Sequence, residues 1–147
     1  RQSKPGRKRL LRRRRISSTK SGRRKRVAVL ITLPYQIPSR NQIDKMHWAK
    51  KTRLRQSWEL LVRNQMALNK IKPCQSGDVF DITVISYRHR RIDPDNLTGG
   101  AKQLIDALTN ESFIWDDSFK YLNPEYKQIL IKKHIEPYTT VERERVV

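Results

Sequence analysis

The rhythm of apolar and polar positions predicts five elements. Val27 to Leu33 reads as a strand, and Pro34 to Asn41, with two prolines, reads as a loop. From Lys45 to Asn69, Leu54, Trp58, Leu61, Val62 and Gln65 recur on one mainly apolar face, which predicts a long helix capped by Asp44. Phe80, Ile82 and Val84 alternate within Val79 to Tyr87, the period of a strand with one buried face. Leu97, Ala101, Leu104, Ile105 and Leu108 return to helical spacing, so Asp95 or Asn96 is expected to cap a helix running to about Asn110. A further strand is expected near Tyr126 to Lys133. The order is β-α-β-α-β: a small α/β or α+β layer in which two main helices cover a small mixed sheet.

Composition removes one stretch from this pattern. Residues 1–26 hold 14 of the 33 Lys and Arg, no acid, and only Leu10, Leu11 and Ile16 as large apolar side chains. They cannot bury enough surface to offset their ordering entropy and read as a basic, flexible nucleic-acid-binding arm, with Arg12, Arg13, Arg14, Arg15, Arg23 and Arg24 at its densest points. Residues 27–147 keep 19 basic and 14 acidic residues, a net of +5 out of the chain's +19, and form the single folded domain. Most salt-dependent, sequence-independent affinity for a polyanion is expected from the arm. A nuclear or nucleolar address, or a ribosomal-type extension that folds against RNA, is the other reading of such a stretch.

Within the domain, basic residues gather twice more. Lys50, Lys51 and Arg53 lie in the first half of the long helix, suited to a phosphate backbone. Arg88, Arg90 and Arg91 flank His89 at the end of the second strand, where a run of cations approaches phosphates or simply stays solvated. Trp48, Trp58 and Trp115 are expected to pack rather than to stack on bases.

Against this background stand two pairs of aspartates within 25 residues: Asp93 with Asp95, and Asp116 with Asp117. An acid cluster repels phosphate unless a divalent cation lies between them, so the combination points to phosphodiester chemistry. The first pair falls at a strand-to-helix corner, and a return loop can bring the second back towards it. Mg2+, with Mn2+ as a plausible substitute, takes hard oxygen ligands of this kind. A plain helix cap for Asp95 and plain turn roles for Asp116 and Asp117 are the competing explanations.

The stretch Asp93-Pro94-Asp95-Asn96-Leu97, the segment Lys102-Gln103-Leu104-Ile105-Asp106-Ala107-Leu108, and Trp115-Asp116-Asp117 resemble the signature of the RusA-like Holliday-junction resolvases, crossover junction endodeoxyribonucleases. Ile31-Thr32-Leu33-Pro34, followed by Ile37-Pro38-Ser39 and Asn41, is similar to that family's first strand and loop, so the likeness spans about residues 27–134. The resemblance implies a RusA-like nuclease domain in which Asp93, Asp95 and Asp117, with Asp116 as neighbour, hold the metal and Lys102 assists at the phosphate. It also implies a homodimer cutting branched DNA, since two strands of a junction require two sites. This chain departs from the shorter family form by Thr98-Gly99-Gly100-Ala101, which displaces the lysine to one turn before Asp106. Gly99 and Gly100 either permit close approach of a phosphate or ease a tight corner. Lys102 and Asp106 also have the spacing of an ordinary i,i+4 surface pair.

No apolar run reaches membrane-spanning length, the basic start lacks the apolar stretch of a signal peptide, and Cys74 stands alone, which excludes a disulfide framework within the chain. The expected setting is cytoplasmic or nucleoid-associated, in a bacterial or phage-infected cell, neither secreted nor in a membrane. Two other classes share these residues: a non-catalytic DNA- or RNA-binding protein, ribosomal-like or an inactive resolvase fold, and a nuclease for flaps, forks or RNA.

Overall fold

The computed structural model describes residues 28–146, so the basic arm lies outside the described residues. Eight elements follow one another: β1 (Ala28–Leu33), α1 (Arg40–Asp44), α2 (Trp48–Leu68), β2 (Phe80–Arg88), α3 (Pro94–Gly100), α4 (Lys102–Asn110), β3 (Leu122–Leu130) and β4 (Tyr138–Arg145). Ala101 is at once the C-cap of α3 and the N-cap of α4. Counted as one interrupted helix, these two give the order β-α-α-β-α-β-β.

This corrects the expected β-α-β-α-β arrangement with two main helices. The fold is a mixed α+β domain on an open four-stranded sheet ordered β1-β4-β2-β3. The missing strand is β4, whose Tyr-Thr-Thr-Val-Glu-Arg-Glu-Arg offers Val141 as its single aliphatic residue. Its buried positions include Thr139 and Arg143, so the inward face carries polar side chains that a hydrophobic pattern does not register. The helix expected from Lys45 begins at Trp48, and a short helix, α1, precedes it, starting in the stretch expected to be a loop. Ser39 caps α1 through a reciprocal capping box with Gln42, the chain turns at Lys45, and His47 caps α2 by accepting from the Ala49 N–H through Nδ1. Asp44 instead ends α1, in a 3.6 Å contact with Arg40.

Sheet pairing sets the position of everything else. β4 runs antiparallel to both β1 and β2, with Val141 opposite Ile31 on one side and Val84 on the other. β2 and β3 are parallel, from Phe80 opposite Leu122 to Arg88 opposite Leu130. A parallel pair needs a crossover rather than a hairpin, and α3 with α4 supplies it. Phe80, Ile82, Val84, Ser86 and Arg88 all turn to the buried side of β2, the strict period of two expected of a pleated strand.

Against this side lie Trp58, Val62 and Met66 of α2, spaced four apart, and Leu104, Ile105, Ala107 and Leu108 of α4. Phe113 and Ile114 close the core behind α4. Truncating a fully buried leucine such as Leu104 or Leu108 to alanine typically costs about 2–5 kcal/mol, so this stripe is what fixes the helices on the sheet. Outside the core, Arg63 of α2 grips Glu111 through Nε at 2.9 Å and Nη2 at 2.8 Å. Glu59 receives Arg55 at 3.2 Å and Asn110 at 2.7 Å, tying the same two helices.

Gly100 is required by packing. A Cβ there would run into the carbonyl oxygen of Pro38, and one on Gly99 would lie 2.6 Å from Cδ of Arg40. The close approach allowed by these glycines is to Pro38 in the loop before α1 and to Arg40 of α1.

Candidate functional site

β2 ends at Arg88, the chain crosses the end of the sheet through His89–Ile92, and α3 begins at Pro94. Proline suits the first turn of a helix because its missing N–H would have no partner there. Asp93 rather than Asp95 or Asn96 is the N-cap, with φ −62° and ψ 144°, yet its side chain makes no capping hydrogen bond. Asp95 follows in the first turn, and both carboxylates are exposed. The preceding loop is held by Gln128 of β3, which donates to Ile92 O at 2.7 Å and accepts from Ile92 N at 3.0 Å.

Asp116 and Asp117 lie in the irregular segment between α4 and β3. Asp117 lines a cavity of about 330 Å3 with Arg55, Asp106, Thr109 and Asn110. A separate cavity of about 630 Å3 runs between α3 and β3, lined by Arg91, Pro94, Leu97, Thr98 and residues 124–129. Asp93 and Asp95 flank its Pro94. Tyr126, one of its lining residues, is half buried, and burial together with the charge of Asp117 holds its phenol above the ordinary value of 10.0. Asp117 therefore lines one cavity, while its charge acts on Tyr126 in the lining of the other.

Among the described residues, no three His, Cys, Asp or Glu side chains gather into a group able to hold a metal ion. The donors suit Mg2+ in kind, being hard oxygens, but the four aspartates do not make a closed three-ligand site. None of the four side chains has a hydrogen bond or ion pair with another described residue, a condition shared by Glu136 and Glu142. Other acids are committed: Asp44 to Arg40, Asp78 to Arg145, Asp106 to Lys102 and Glu111 to Arg63. Lys102 is exposed, and its Nζ lies 3.7 Å from Asp106.

The predicted phosphate contacts divide by burial. Lys50 and Arg53 are exposed on the first turns of α2, with Lys51 partly covered beside them, and Arg90 and Arg91 are exposed in the loop after β2. Arg88 is buried, only 4% exposed. Arg12, Arg13, Arg14, Arg15, Arg23 and Arg24 lie outside the described residues. Trp58 is core, whereas Trp48, expected to pack, is 71% exposed beside His47.

Arg88 belongs to a group that sequence reasoning did not assemble. With Gln36, Ser39, Gln42, His89, Arg90, Ile92 and Pro137 it lines a cavity of about 420 Å3. Ser39 and Gln42 were findable, because Ser-x-x-Gln is the signature of a capping box. Their proximity to Arg88 depends on the Ile37 carbonyl meeting the guanidinium across 51 residues, which no local pattern encodes.

No helix among the described residues is long and apolar enough to cross a membrane. No family model matches the sequence, and no curated protein matches it.

Proposed function

We propose that this chain is a metal-dependent endonuclease that cuts phosphodiester bonds in branched DNA as a homodimer, in the manner of the RusA-like resolvases its motifs resemble. The observation that carries this reading is that the side chains of Asp93, Asp95, Asp116 and Asp117 are unpaired among the described residues, in a chain of net charge +19. Carboxylates that contribute no pairing to the fold and weaken attraction for nucleic acid have a use as ligands to a cation. Asp93, Asp95 and Asp117, with Asp116 as neighbour, would hold Mg2+ or Mn2+. Mg2+ is commonly bound by one or two carboxylates plus substrate phosphates, and it would supply a water of lowered pKa.

The chain's own groups do the positioning. Arg90 and Arg91 sit in the loop before Asp93 and draw a phosphate towards it, while Lys50, Lys51 and Arg53 extend the basic track along α2. Lys102, tethered weakly to Asp106, swings to a non-bridging oxygen at the cost of an exposed pair worth about 0.2–1 kcal/mol or less. The arm adds non-specific affinity. Such a protein would work in the cytoplasm or on the nucleoid of a bacterial or phage-infected cell.

The decisive experiment is cleavage of a synthetic four-way junction by the full chain, with Mg2+ or Mn2+ and with chelator. Cutting that requires metal supports the proposal; binding without cutting under every metal and pH removes it. A second reading, non-catalytic binding of DNA or RNA, is favoured by the lack of a three-ligand group among the described residues.

A further inference from the structure

The cavity beside Arg88 has the character of an anion site. Arg88 donates from Nε to Arg90 O at 2.8 Å and from Nη1 to Ile37 O at 2.7 Å and to Ser86 Oγ at 3.2 Å. Its Nη2 has no hydrogen-bond partner among the described residues. Nor is that nitrogen sealed away, since the described side-chain atoms that are both sealed and unpartnered are Trp58 Nε1 and Gln103 Oε1. The guanidinium forms no ion pair with a described acid, and burial alone pulls its pKa below the ordinary arginine value. A buried cation held only by neutral acceptors lacks the counter-charge that normally offsets desolvation.

The rest of the lining is complementary to an anion. Arg90 adds a second guanidinium, and none of the lining residues is acidic. Ser39 Oγ already accepts from Gln42 N at 3.2 Å and Gln42 Oε1 from Ser39 N at 2.9 Å, leaving the serine hydroxyl and the Gln42 amide NH2 as donors. Nε2 of His89 is 2.8 Å from the Ile135 carbonyl and donates to it, which fixes the ring at the cavity rim. Two guanidinium groups, a hydroxyl and an amide around one pocket match the oxygens of a phosphoryl group.

We infer that this cavity seats a phosphate group, with Arg88 Nη2 as its innermost donor and Arg90, Ser39 and Gln42 closing around it. The inference goes beyond the nuclease reading and does not need cleavage. A backbone phosphate seated here would lie on the α1 side of the Arg88–Asp93 corner, gripping nucleic acid next to the acids without touching them.

The test is a titration of the full chain with inorganic phosphate against chloride at matched ionic strength, followed through the amide resonances of Ser39, His89, Arg90 and Ile92. A saturable shift with phosphate alone is expected. Arg88→Lys should weaken it about tenfold, the equivalent of one charge-assisted hydrogen bond. If that variant does not fold, exposed Arg90→Gln carries the test, with about threefold weakening expected from a partly solvated charge. A short oligodeoxynucleotide that moves the same resonances, reversed by excess phosphate, identifies the occupant as a nucleic-acid phosphate. Oligonucleotide shifts confined elsewhere, with inorganic phosphate still saturating, identify it as free phosphate. A drift identical to that with chloride, or equal midpoints for wild type and Arg90→Gln, overturns the proposal. Junction cleavage present or absent leaves each of these outcomes readable.

Discussion

Two arginines are buried on the same face of the sheet, at opposite ends of β2, and they are finished differently. Arg143 of β4, opposite Ile82, donates to the carbonyls of Phe113 and Lys72 and lies 5.0 Å from the ring centre of Phe80 and 4.6 Å from that of Phe113. Burial pulls its pKa down, while Cys74 and Asp78 pull it back up. Arg88, at the other end, has no such acid and opens into a cavity. The closed end spends its charge on holding loops to the core. The open end leaves charge without a counter-charge among the described residues, both the Arg88 cation and the Asp93 and Asp95 carboxylates.

The contrast is sharpest if function can be removed from the open end without touching stability. Asp93→Asn and Asp95→Asn should each lower metal-dependent junction cleavage by at least ~100-fold, since even groups supporting a ligand are worth 10–100-fold. Neither carboxylate is paired with another described residue, so the urea midpoint should stay put or rise. Wild-type cleavage rates for Asp93→Asn would reduce that residue to a helix start and dissolve the division.

The closed end should behave in the opposite way. Arg143→Met strips two carbonyls of their donor and removes a cation from between two rings, which should cost about 3 kcal/mol in urea denaturation. Phosphate binding followed at Ser39 and His89 should persist wherever the variant is folded. A loss of that binding in folded Arg143→Met would mean that the two ends are coupled.

Gly100→Ala tests how tightly the open end is built. The added methyl meets the Pro38 carbonyl, so a loss of about 1–3 kcal/mol is expected, accompanied by weaker phosphate binding as the loop before α1 shifts. Stability equal to wild type would show that this loop yields.

The smallest effect concerns Tyr126. Burial first, and the Asp117 charge second, raise its pKa above 10.0. Asp117→Asn should therefore lower the Tyr126 titration seen by NMR towards, but not to, the ordinary value. For a raised phenol the stabilisation is complete below the unfolded pKa and is lost as pH climbs through the folded one. Alkaline destabilisation should accordingly begin above about pH 10. An unmoved titration would place Asp117 outside the electrostatic surroundings of that cavity.

Much of the layer was legible because its signals are local. The alternation at Phe80, Ile82 and Val84 and the stripe from Leu97 to Leu108 reported β2 and the crossover helix directly. β4 escaped because its inward positions are Thr139, Val141 and Arg143, two of which become comfortable in the interior only after distant partners are in place, the Tyr35 carbonyl for one and the Phe113 carbonyl for the other. The break at Ala101 escaped because Gly99 and Gly100 are shaped by the Pro38 loop, a contact made across 62 residues in the case of Gly100. At the candidate site, sequence supplied the four aspartates and the basic loop. It placed Arg88 on the surface because a charged residue at a strand end is ordinarily solvated, and only the fold shows three neutral acceptors waiting for it.

The strand order also governs how the chain comes into being. β4 follows the other strands in the chain but lies between β1 and β2, so β1 has no sheet partner until residues 138–145 have emerged from the ribosome. The parallel pair β2–β3 with its crossover can assemble earlier, as domains under synthesis gain contacts from the N-terminal side. β1 must wait, and β2 keeps an open edge until β4 arrives to fill the place between them.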